Sequence, residues 1–297
     1  MILIVGATGT LGSEICSRLR RGQSRVRALV RQSANPDRVA VLRNAGVELC
    51  IGDLKDPASL SEACEGAEVV ISTASSTLSR QEGDSIETVD RIGQLSLIKA
   101  ARVAGVKHFT LVSIPRQPLR ESPLTRAKAE VERTLAASGL AYTILAADFF
   151  MEVWLSPALG FDVSHRKAII FGDGNAPISW ISYHDVAEFA VRSHSSPSAR
   201  NQHFDIGGPQ DLSPLDVVAV FEKGTGQPFE KQFVPESALL AQLEQTTDPL
   251  AETFLKLQLE YAHGCIMNSS ELLRAMPFNL RTIDQFATEV LGQSVPA

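Results

Sequence analysis

The sequence predicts an α/β protein built on a doubly wound parallel sheet, and three observations support this fold class. Six apolar runs alternate with helical stretches between residues 2 and 145. The runs are continuously apolar, which is typical of strands that helices cover on both faces. The first run leads through a glycine-rich turn into a helix. Such an alternation predicts right-handed crossovers and a ligand site at the carboxyl ends of the strands.

The turn after the first strand carries three glycines at three-residue spacing. Gly6 allows a sharp turn, Gly9 lets the backbone approach a pyrophosphate, and Gly12 lets the helix pack closely on the strand. The unpaired N–H groups at the helix start and the positive end of its dipole attract an anion. The flanking strand and helix favour a dinucleotide site over a purely structural turn. The other candidate residues of the turn are Thr8, Thr10 and Leu11.

The second strand, residues 25–31, ends about 20 residues beyond the glycine turn. In NAD-binding folds an acidic residue at this place accepts a hydrogen bond from the ribose 2′-hydroxyl. This chain has Arg31 there, and a guanidinium can pair bidentately with a 2′-phosphate. Ser33 can add a hydrogen bond. The sequence therefore predicts NADP(H) as the cofactor, and the alternative is a solvated arginine at a strand end.

The alternation continues beyond this strand. The following helices are predicted at 36–45, 57–64, 87–104 and 124–138. The strands that they precede are predicted at 47–51, 67–73, 107–113 and 141–145. Thr73, Ala74 and Ser75 end the fourth strand, and such small residues let a cofactor lie close to the backbone. A simple polar turn is the alternative interpretation of these three residues.

The pattern changes beyond residue 150, where the strands become shorter and a connection rich in Gly, Asn and Pro occupies 172–177. We expect residues 1–150 to form the nucleotide-binding domain. Residues 151–297 are expected to form a smaller substrate or partner lobe that packs against it and is partly interleaved with it. A chain of 297 residues is long enough for this arrangement.

The composition limits the function classes. With 44% hydrophobic and 21% charged residues, the chain has the composition of an ordinary globular protein. The net charge of −6 argues against a nucleic-acid partner, because phosphate neutralisation needs a clustered basic face. The four cysteines form no CxxC pair and the histidines show no ligand spacing. We therefore expect reduced thiols and no metal.

The location of the protein is predicted from its apolar segments. No apolar stretch reaches the ~18–20 residues needed to span a membrane. The first strand begins at Ile2, which leaves no room for a signal peptide. We expect a cytoplasmic monomer or homodimer that binds a small-molecule substrate or a protein partner.

With these elements in place, the chain resembles the NmrA-like group of atypical short-chain dehydrogenase/reductases, which have a Rossmann fold. The resemblance covers nearly the whole chain, and the order of the matching pieces is more specific than any single piece. The pieces are the turn 6–12, Leu29-Val30-Arg31, Gly52-Asp53-Leu54, Leu111-Val112-Ser113, Tyr142-Thr143-Ile144-Leu145, Phe149-Phe150-Met151-Glu152 and Ile181-Ser182-Tyr183-His184-Asp185-Val186-Ala187. The resemblance implies that Asp53 and Leu54 lie at the adenine end of the cofactor.

The resemblance also implies active-site residues. In the main branch of that superfamily a serine, a tyrosine and a lysine form the site, with the tyrosine four residues before the lysine. Ser113 and Lys128 stand at the places of the serine and the lysine, whereas Leu124 stands at the place of the tyrosine. Leucine has no proton to donate, so the proton would come from water, from Lys128 or from elsewhere near the pocket.

Alternatives remain for each of these residues. Lys128 either binds the nicotinamide ribose and acts electrostatically, or is an exposed helix lysine that pairs with Glu132 one turn later. Ser113 is either catalytic or a strand-end cap. The aromatic residues after the sixth strand either line a pocket for a flat apolar substrate or belong to the core. These residues are Phe149, Phe150 and Trp154.

Three functions fit these features. We expect an NADP(H)-dependent oxidoreductase that transfers hydride to a small, largely apolar acceptor of the quinone, enone or aromatic type. The alternative is an NADP(H)-binding redox sensor of the NmrA type without turnover, whose partner affinity would depend on the bound cofactor. A scaffold or assembly factor that uses the fold for protein contacts alone is a third hypothesis.

Overall fold

The structure is a computed structural model that describes residues 1–78, 81–116 and 121–293. Its strands are β1 Ile2–Val5, β2 Val26–Val30, β3 Glu48–Ile51, β4 Val69–Ser72, β5 His108–Ser113, β6 Ala141–Ala147, β7 Phe161–Asp162, β8 Lys167–Phe171, β9 Ile178–Ser179, β10 Gln202–Ile206, β11 Asp211–Leu212 and β12 Glu230–Val234. Its α-helices are α1 Thr10–Arg21, α2 Pro36–Asn44, α3 Pro57–Cys64, α4 Gln94–Val103, α5 Pro123–Ala137, α6 Met151–Trp154, α7 Tyr183–Ser193, α8 Pro214–Thr225, α9 Glu236–Gln245, α10 Pro249–His263, α11 Ser270–Ala275 and α12 Ile283–Gln293. A π-helix, Ile86–Gly93, runs directly into α4.

Seven parallel strands form the central sheet in the order β10-β6-β5-β4-β1-β2-β3. From β1, the strands β2 and β3 extend the sheet to one side, and β4, β5 and β6 extend it to the other. The strand order therefore reverses between β1 and β4. In doubly wound sheets, ligands bind in the crevice beside the carboxyl ends of the two strands at this switch point. The predicted doubly wound α/β fold is confirmed.

Helices cover both faces of this sheet. On one face, α1 and α7 pack side by side over a core that contains Ile4 and Phe189. On the other face, α3, α4 and α5 cover a core that contains Leu3 and Leu111. The neighbouring residues Leu3 and Ile4 thus point to opposite faces, and both are completely buried. This double burial explains why the strand is apolar throughout.

The chain beyond residue 150 contributes to the central sheet and forms two smaller ones. Strand β10 pairs with β6 from Gln202 opposite Thr143 to Ile206 opposite Ala147. The smaller sheets have the strand orders β12-β8-β7 and β11-β9. A third core, which includes Trp180, connects these elements to α5. The central sheet is therefore not built by residues 1–150 alone.

The remaining features of the fold concern its thiols and its helix lengths. Cys16, Cys50, Cys64 and Cys265 form no disulfide bond with one another. Burial raises the pKa of the Cys64 thiol to about 11, so this thiol is protonated at neutral pH. Across residues 1–78, 81–116 and 121–293, no helix has the length and apolar character that a membrane crossing requires.

Candidate functional site

The glycine turn connects β1 to α1 at the carboxyl edge of the sheet. Gly6 has a φ of +89°, and a Cβ on it would lie 2.7 Å from Thr73 Oγ1 and 2.8 Å from Ala74 N. A Cβ on Gly12 would lie 2.2 Å from the Gly6 carbonyl oxygen. Gly9 is exposed and begins α1 without a side-chain cap, so the first N–H groups of the helix are left for another acceptor. The neighbouring residues are the half-buried Thr8 and Leu11 and the exposed Thr10.

The segment that follows β4 packs against this turn. Its first residue, Thr73, donates its N–H to Val5 O at 2.9 Å, which ties the segment to the end of β1. The fully buried Gln94 donates from Nε2 to Ala74 O at 3.0 Å. Thr73, Ala74 and Ser75 are each half-buried. These hydrogen bonds hold the segment in place, and its three residues remain partly exposed. Contact of these residues with a cofactor remains a prediction.

Arg31 and Ser33 follow the carboxyl end of β2. Arg31 Nη1 lies 2.5 Å from Asp84 Oδ2. Ser33 donates its hydroxyl to the side chain of Gln81, and Gln81 Nε2 donates to Ser33 O at 3.0 Å. Both residues therefore contact the segment 81–84, which lies against the end of β2. A contact of Arg31 with a 2′-phosphate would have to coexist with Asp84 or replace it.

Asp53 and Leu54 follow β3, the neighbouring strand. Asp53 Oδ1 accepts a hydrogen bond from the Lys55 N–H at 2.8 Å, which stabilises the turn at this strand end. Leu54 is buried beneath the π-helix, where a Cβ on Gly93 would lie 2.8 Å from Leu54 Cβ. In this structure Leu54 packs against the π-helix, and Asp53 stabilises the turn after β3. Their contact with an adenine ring stays a prediction.

Lys128 lies in the interior. Its side chain is 6% exposed, and Nζ lies 3.5 Å from Oδ1 of the completely buried Asp90. Asp90 Oδ2 accepts hydrogen bonds from the Ser76 N–H at 3.0 Å and from the Ser76 hydroxyl at 2.6 Å. The alternative of an exposed lysine paired with Glu132 is therefore wrong. Through Asp90, Lys128 is connected to the segment after β4, at the same sheet edge as the glycine turn.

Glu132 instead belongs to a buried network with Ser113. Ser113 ends β5 and donates its hydroxyl to Glu132, which also pairs with Arg116. His203 Nδ1 on β10 lies 3.8 Å from the same carboxylate. The hydrogen bond with Asp205 raises the pKa of His203, burial opposes this effect, and the charge of Glu132 reinforces it. The network stabilises the Ser113 hydroxyl in one orientation, and a catalytic role for Ser113 stays a prediction.

The aromatic residues after β6 lie mostly in the core. Phe149 is completely buried, with its ring centroid 5.0 Å from that of Trp154 and 6.0 Å from that of Trp180. Trp154 is 9% exposed and stacks on Tyr261 at 5.5 Å. Phe150 is half-buried. Phe149 also has a φ of +50°, a strained conformation for an aromatic residue. Substrate contacts of these residues stay predictions, and Phe149 has no exposed surface for one in this structure.

Sequence reasoning missed several side chains that contact the predicted site residues. Arg38 Nη1 donates to Thr8 O at 3.2 Å and brings a second guanidinium to the glycine turn. Its place in the first turn of α2 was visible in the sequence. Asp84, Asp90 and Gln94 are far from their partners in the sequence, and only the tertiary fold brings them into contact. Within the described ranges, no group of three or more His, Cys, Asp or Glu side chains could hold a metal ion.

Several known proteins are similar to this chain in sequence. The isoflavone reductase homolog IRL of Zea mays is 33% identical over 84% of this chain and 82% of that protein. The NAD(P)H azoreductase of Xenophilus azovorans is 32% identical over 77% of this chain and 75% of that protein. The photosystem II assembly factor Ycf39 of Trieres chinensis is 30% identical over 79% of this chain and 72% of that protein.

A solved structure and a family model extend the comparison to the whole fold. The NADPH-dependent quinone oxidoreductase QOR2 from Escherichia coli, in its complex with NADPH, has a TM-score of 0.77 and 24% sequence identity over 98% of this chain and 100% of that chain. This likeness supports the fold. The model of the NmrA-like family matches residues 1–285, from β1 into α12. The chain therefore belongs to the NmrA-like family, as its motifs predict.

Proposed function

We propose that this protein is an NADP(H)-dependent oxidoreductase that transfers hydride to a small, largely apolar acceptor. The observation that carries the proposal is the course of residues 73–76. At one end of this segment Thr73 packs against Gly6, and at the other end Ser76 binds Asp90, the ion-pair partner of Lys128. A dinucleotide whose pyrophosphate lies on the glycine turn can extend along this segment toward Lys128.

The residues at this edge fit a nicotinamide dinucleotide that carries a 2′-phosphate. Only glycine fits at position 6, where a Cβ would meet Thr73 and Ala74, and at position 12, where a Cβ would meet the backbone of the turn itself. The N–H groups at the start of α1 would hold the pyrophosphate, and Arg31 with Ser33 would hold the 2′-phosphate. When bound, the cofactor supplies the hydride at its nicotinamide ring. The protein supplies binding, orientation and electrostatic stabilisation.

The acceptor class rests on the relatives and on the apolar surroundings of Lys128. One relative is named for isoflavone reduction and another for azo reduction. Leu124, one turn before Lys128 on α5, belongs to the same apolar cluster as Phe149 and Trp154. Apolar walls with a few polar groups are typical of small-molecule sites. We propose a quinone, enone or aromatic acceptor.

Lys128 is the residue that we assign to the reaction. Its ammonium is buried, so solvent screens it poorly and it can stabilise negative charge that develops on the acceptor. Leu124 occupies the place of the superfamily tyrosine and cannot donate a proton. We therefore propose that the proton comes from Lys128 or from water. Ser113 can donate a hydrogen bond to the acceptor only if it gives up its hydrogen bond to Glu132.

The test compares Lys128→Met with Lys99→Met, a matched change on the exposed face of α4. The consumption of NADPH is followed by its absorbance with a panel of quinones, enones and azo compounds. We expect Lys128→Met to lower the turnover by about 100-fold or more, and Lys99→Met to leave it unchanged. The double variant Lys128→Met/Asp90→Asn controls for the unpaired carboxylate. Wild-type turnover in either Lys128 variant would contradict the assignment.

The same assays separate the other two hypotheses. Two relatives are named as reductases, and these names do not favour a sensor without turnover. Binding of NADPH without turnover on any acceptor would favour the sensor. Failure to bind either nicotinamide nucleotide would favour protein contacts alone, in keeping with the similarity to an assembly factor.

A further inference from the structure

A second cation lies beside Arg31 at the ends of β2 and β3. Lys55 Nζ lies 2.5 Å from Asp84 Oδ1, and Arg31 Nη1 lies 2.5 Å from Asp84 Oδ2. The Gln81 N–H donates to Asp84 Oδ2 at 2.9 Å. The Asp84 side chain is 1% exposed. A single carboxylate is thus enclosed by a guanidinium, an ammonium and a backbone donor.

These donors are the ones that a phosphate monoester requires. Arginine binds phosphate oxygens through its planar donors, lysine binds them as a point charge, and backbone N–H groups complete many phosphate sites. Burial alone would raise the pKa of Asp84, but the hydrogen bonds from Lys55, the Gln81 N–H and Arg31 outweigh it and lower the pKa. Asp84 is therefore an anion at neutral pH, and it lies where the fold places the cofactor's 2′-phosphate.

We propose that Asp84 is an internal substitute for the 2′-phosphate, and that Lys55 acts with Arg31 to select the phosphorylated nucleotide once the phosphate displaces Asp84. This inference rests on the proposed function, because it concerns the same cofactor site. Lys55 has a partner outside the segment 81–84 that keeps it in place after the exchange, since Nζ lies 3.7 Å from Asp53 Oδ2.

The chain offers a way for Asp84 to leave. Residues 81–84 form a turn in which the Asp84 N–H donates to Gln81 O at 3.0 Å. Gly83 within it has a φ of +78°, and a Cβ there would meet only Lys55 Nζ, at 3.7 Å. Backbone atoms therefore do not crowd position 83. The contacts that hold the turn at the end of β2 are the hydrogen bonds between Ser33 and Gln81 and the ion pairs of Asp84, and no strand of the central sheet includes residues 81–84.

Two variants separate the roles of the carboxylate and the ammonium. Asp84→Asn keeps the shape of the side chain and removes the competing charge, so we expect it to bind NADPH about tenfold more tightly than wild type. Lys55→Met removes a cation from the phosphate, so we expect it to bind NADPH about tenfold more weakly. Neither change alters NADH binding, because NADH lacks the 2′-phosphate.

The experiment measures the affinity of each protein for NADPH and NADH by nicotinamide fluorescence, and for adenosine 2′,5′-bisphosphate and AMP by calorimetry. The two adenosine ligands report on the phosphate subsite without the nicotinamide half. The matched controls are Lys167→Met and Glu230→Gln, an exposed ion pair at 3.2 Å in the small sheet of β8 and β12. Thermal unfolding of each variant verifies that it is folded.

The outcomes distinguish this inference from the proposed function. It is supported if Asp84→Asn strengthens and Lys55→Met weakens the binding of NADPH and the bisphosphate, while NADH and AMP are unaffected. It is overturned if Asp84→Asn weakens NADPH binding, because Asp84 then only positions Arg31, or if both variants behave like the controls. In those cases wild-type preference for NADPH still supports the proposed function. A wild-type protein that binds no nicotinamide nucleotide overturns both.

Discussion

Replacing Gly12 with alanine tests the steric basis of the glycine turn. The added Cβ would lie 2.2 Å from Gly6 O, 2.8 Å from Gly6 C and 2.9 Å from Ala7 Cα. All three are backbone atoms, so no side-chain rotation can relieve the contact. Relief of the shortest contact to 3.0 Å needs a displacement of about 0.8 Å, the difference between 3.0 and 2.2. Overpacking of this kind costs about 1–3 kcal/mol in stability.

The displaced backbone carries the N–H groups that would hold the pyrophosphate, and a misplacement of about 1 Å can cost up to about 100-fold in function. We expect Gly12→Ala to lower the free energy of unfolding by about 1–3 kcal/mol and the NADPH affinity by at least about tenfold. Gly292→Ala in α12 is the matched control, since a Cβ there meets nothing within 4 Å. Urea unfolding and NADPH titration measure both effects. Wild-type NADPH affinity in Gly12→Ala would refute the reasoning.

Two further predictions concern buried carboxylates. Burial raises the pKa of Asp185 to about 6, against the opposing hydrogen bond from the Arg281 N–H, so the folded state binds this proton more tightly than the unfolded state. The resulting stability is full below pH 3.8 and is lost as the pH rises through about 6, a change of about 3 kcal/mol. Denaturant unfolding between pH 3.8 and about 6 should show this loss of stability in wild type but not in Asp185→Asn. Parallel pH profiles of the two proteins would contradict the prediction. Asp90→Asn leaves Lys128 buried without its counter-charge and should lower the free energy of unfolding at pH 7 by about 3–5 kcal/mol. Glu87→Gln removes one partner of an exposed ion pair with Arg91 and should lower the free energy of unfolding much less. Equal losses in Asp90→Asn and Glu87→Gln would be inconsistent with a buried ion pair between Lys128 and Asp90.

The sequence was sufficient to predict the central sheet wherever its strands are buried on both faces. Strand β1 is buried at every position, so its apolar run stands out from the helices around it. Strand β10 lies at the edge of the sheet, where Gln202, His203 and Asp205 are exposed and only Phe204 and Ile206 are buried. Such a mixed run resembles a loop. The apolar pattern therefore predicts six of the seven strands but not β10.

The candidate site likewise depends partly on local sequence patterns and partly on tertiary contacts. The glycine turn and Arg31 are defined by local spacing, and Lys128 by the family resemblance. The partners of these residues depend on how the chain folds back, since the contact between Arg31 and Asp84 joins residues 53 apart in sequence. Helical spacing suggested Glu132 as the partner of Lys128, but the buried Asp90 takes that place. Local patterns thus provide candidate site residues, whereas the partners of these residues depend on the tertiary fold.

Titration of the wild-type protein with NADPH and with NADH, followed by nicotinamide fluorescence, tests the central claim most directly. The glycine turn predicts that the protein binds a nicotinamide nucleotide. Arg31 at the end of β2 predicts that NADPH binds at least about tenfold more tightly than NADH. Equal affinities would contradict the selection of the 2′-phosphate, and the absence of binding would contradict the cofactor site itself.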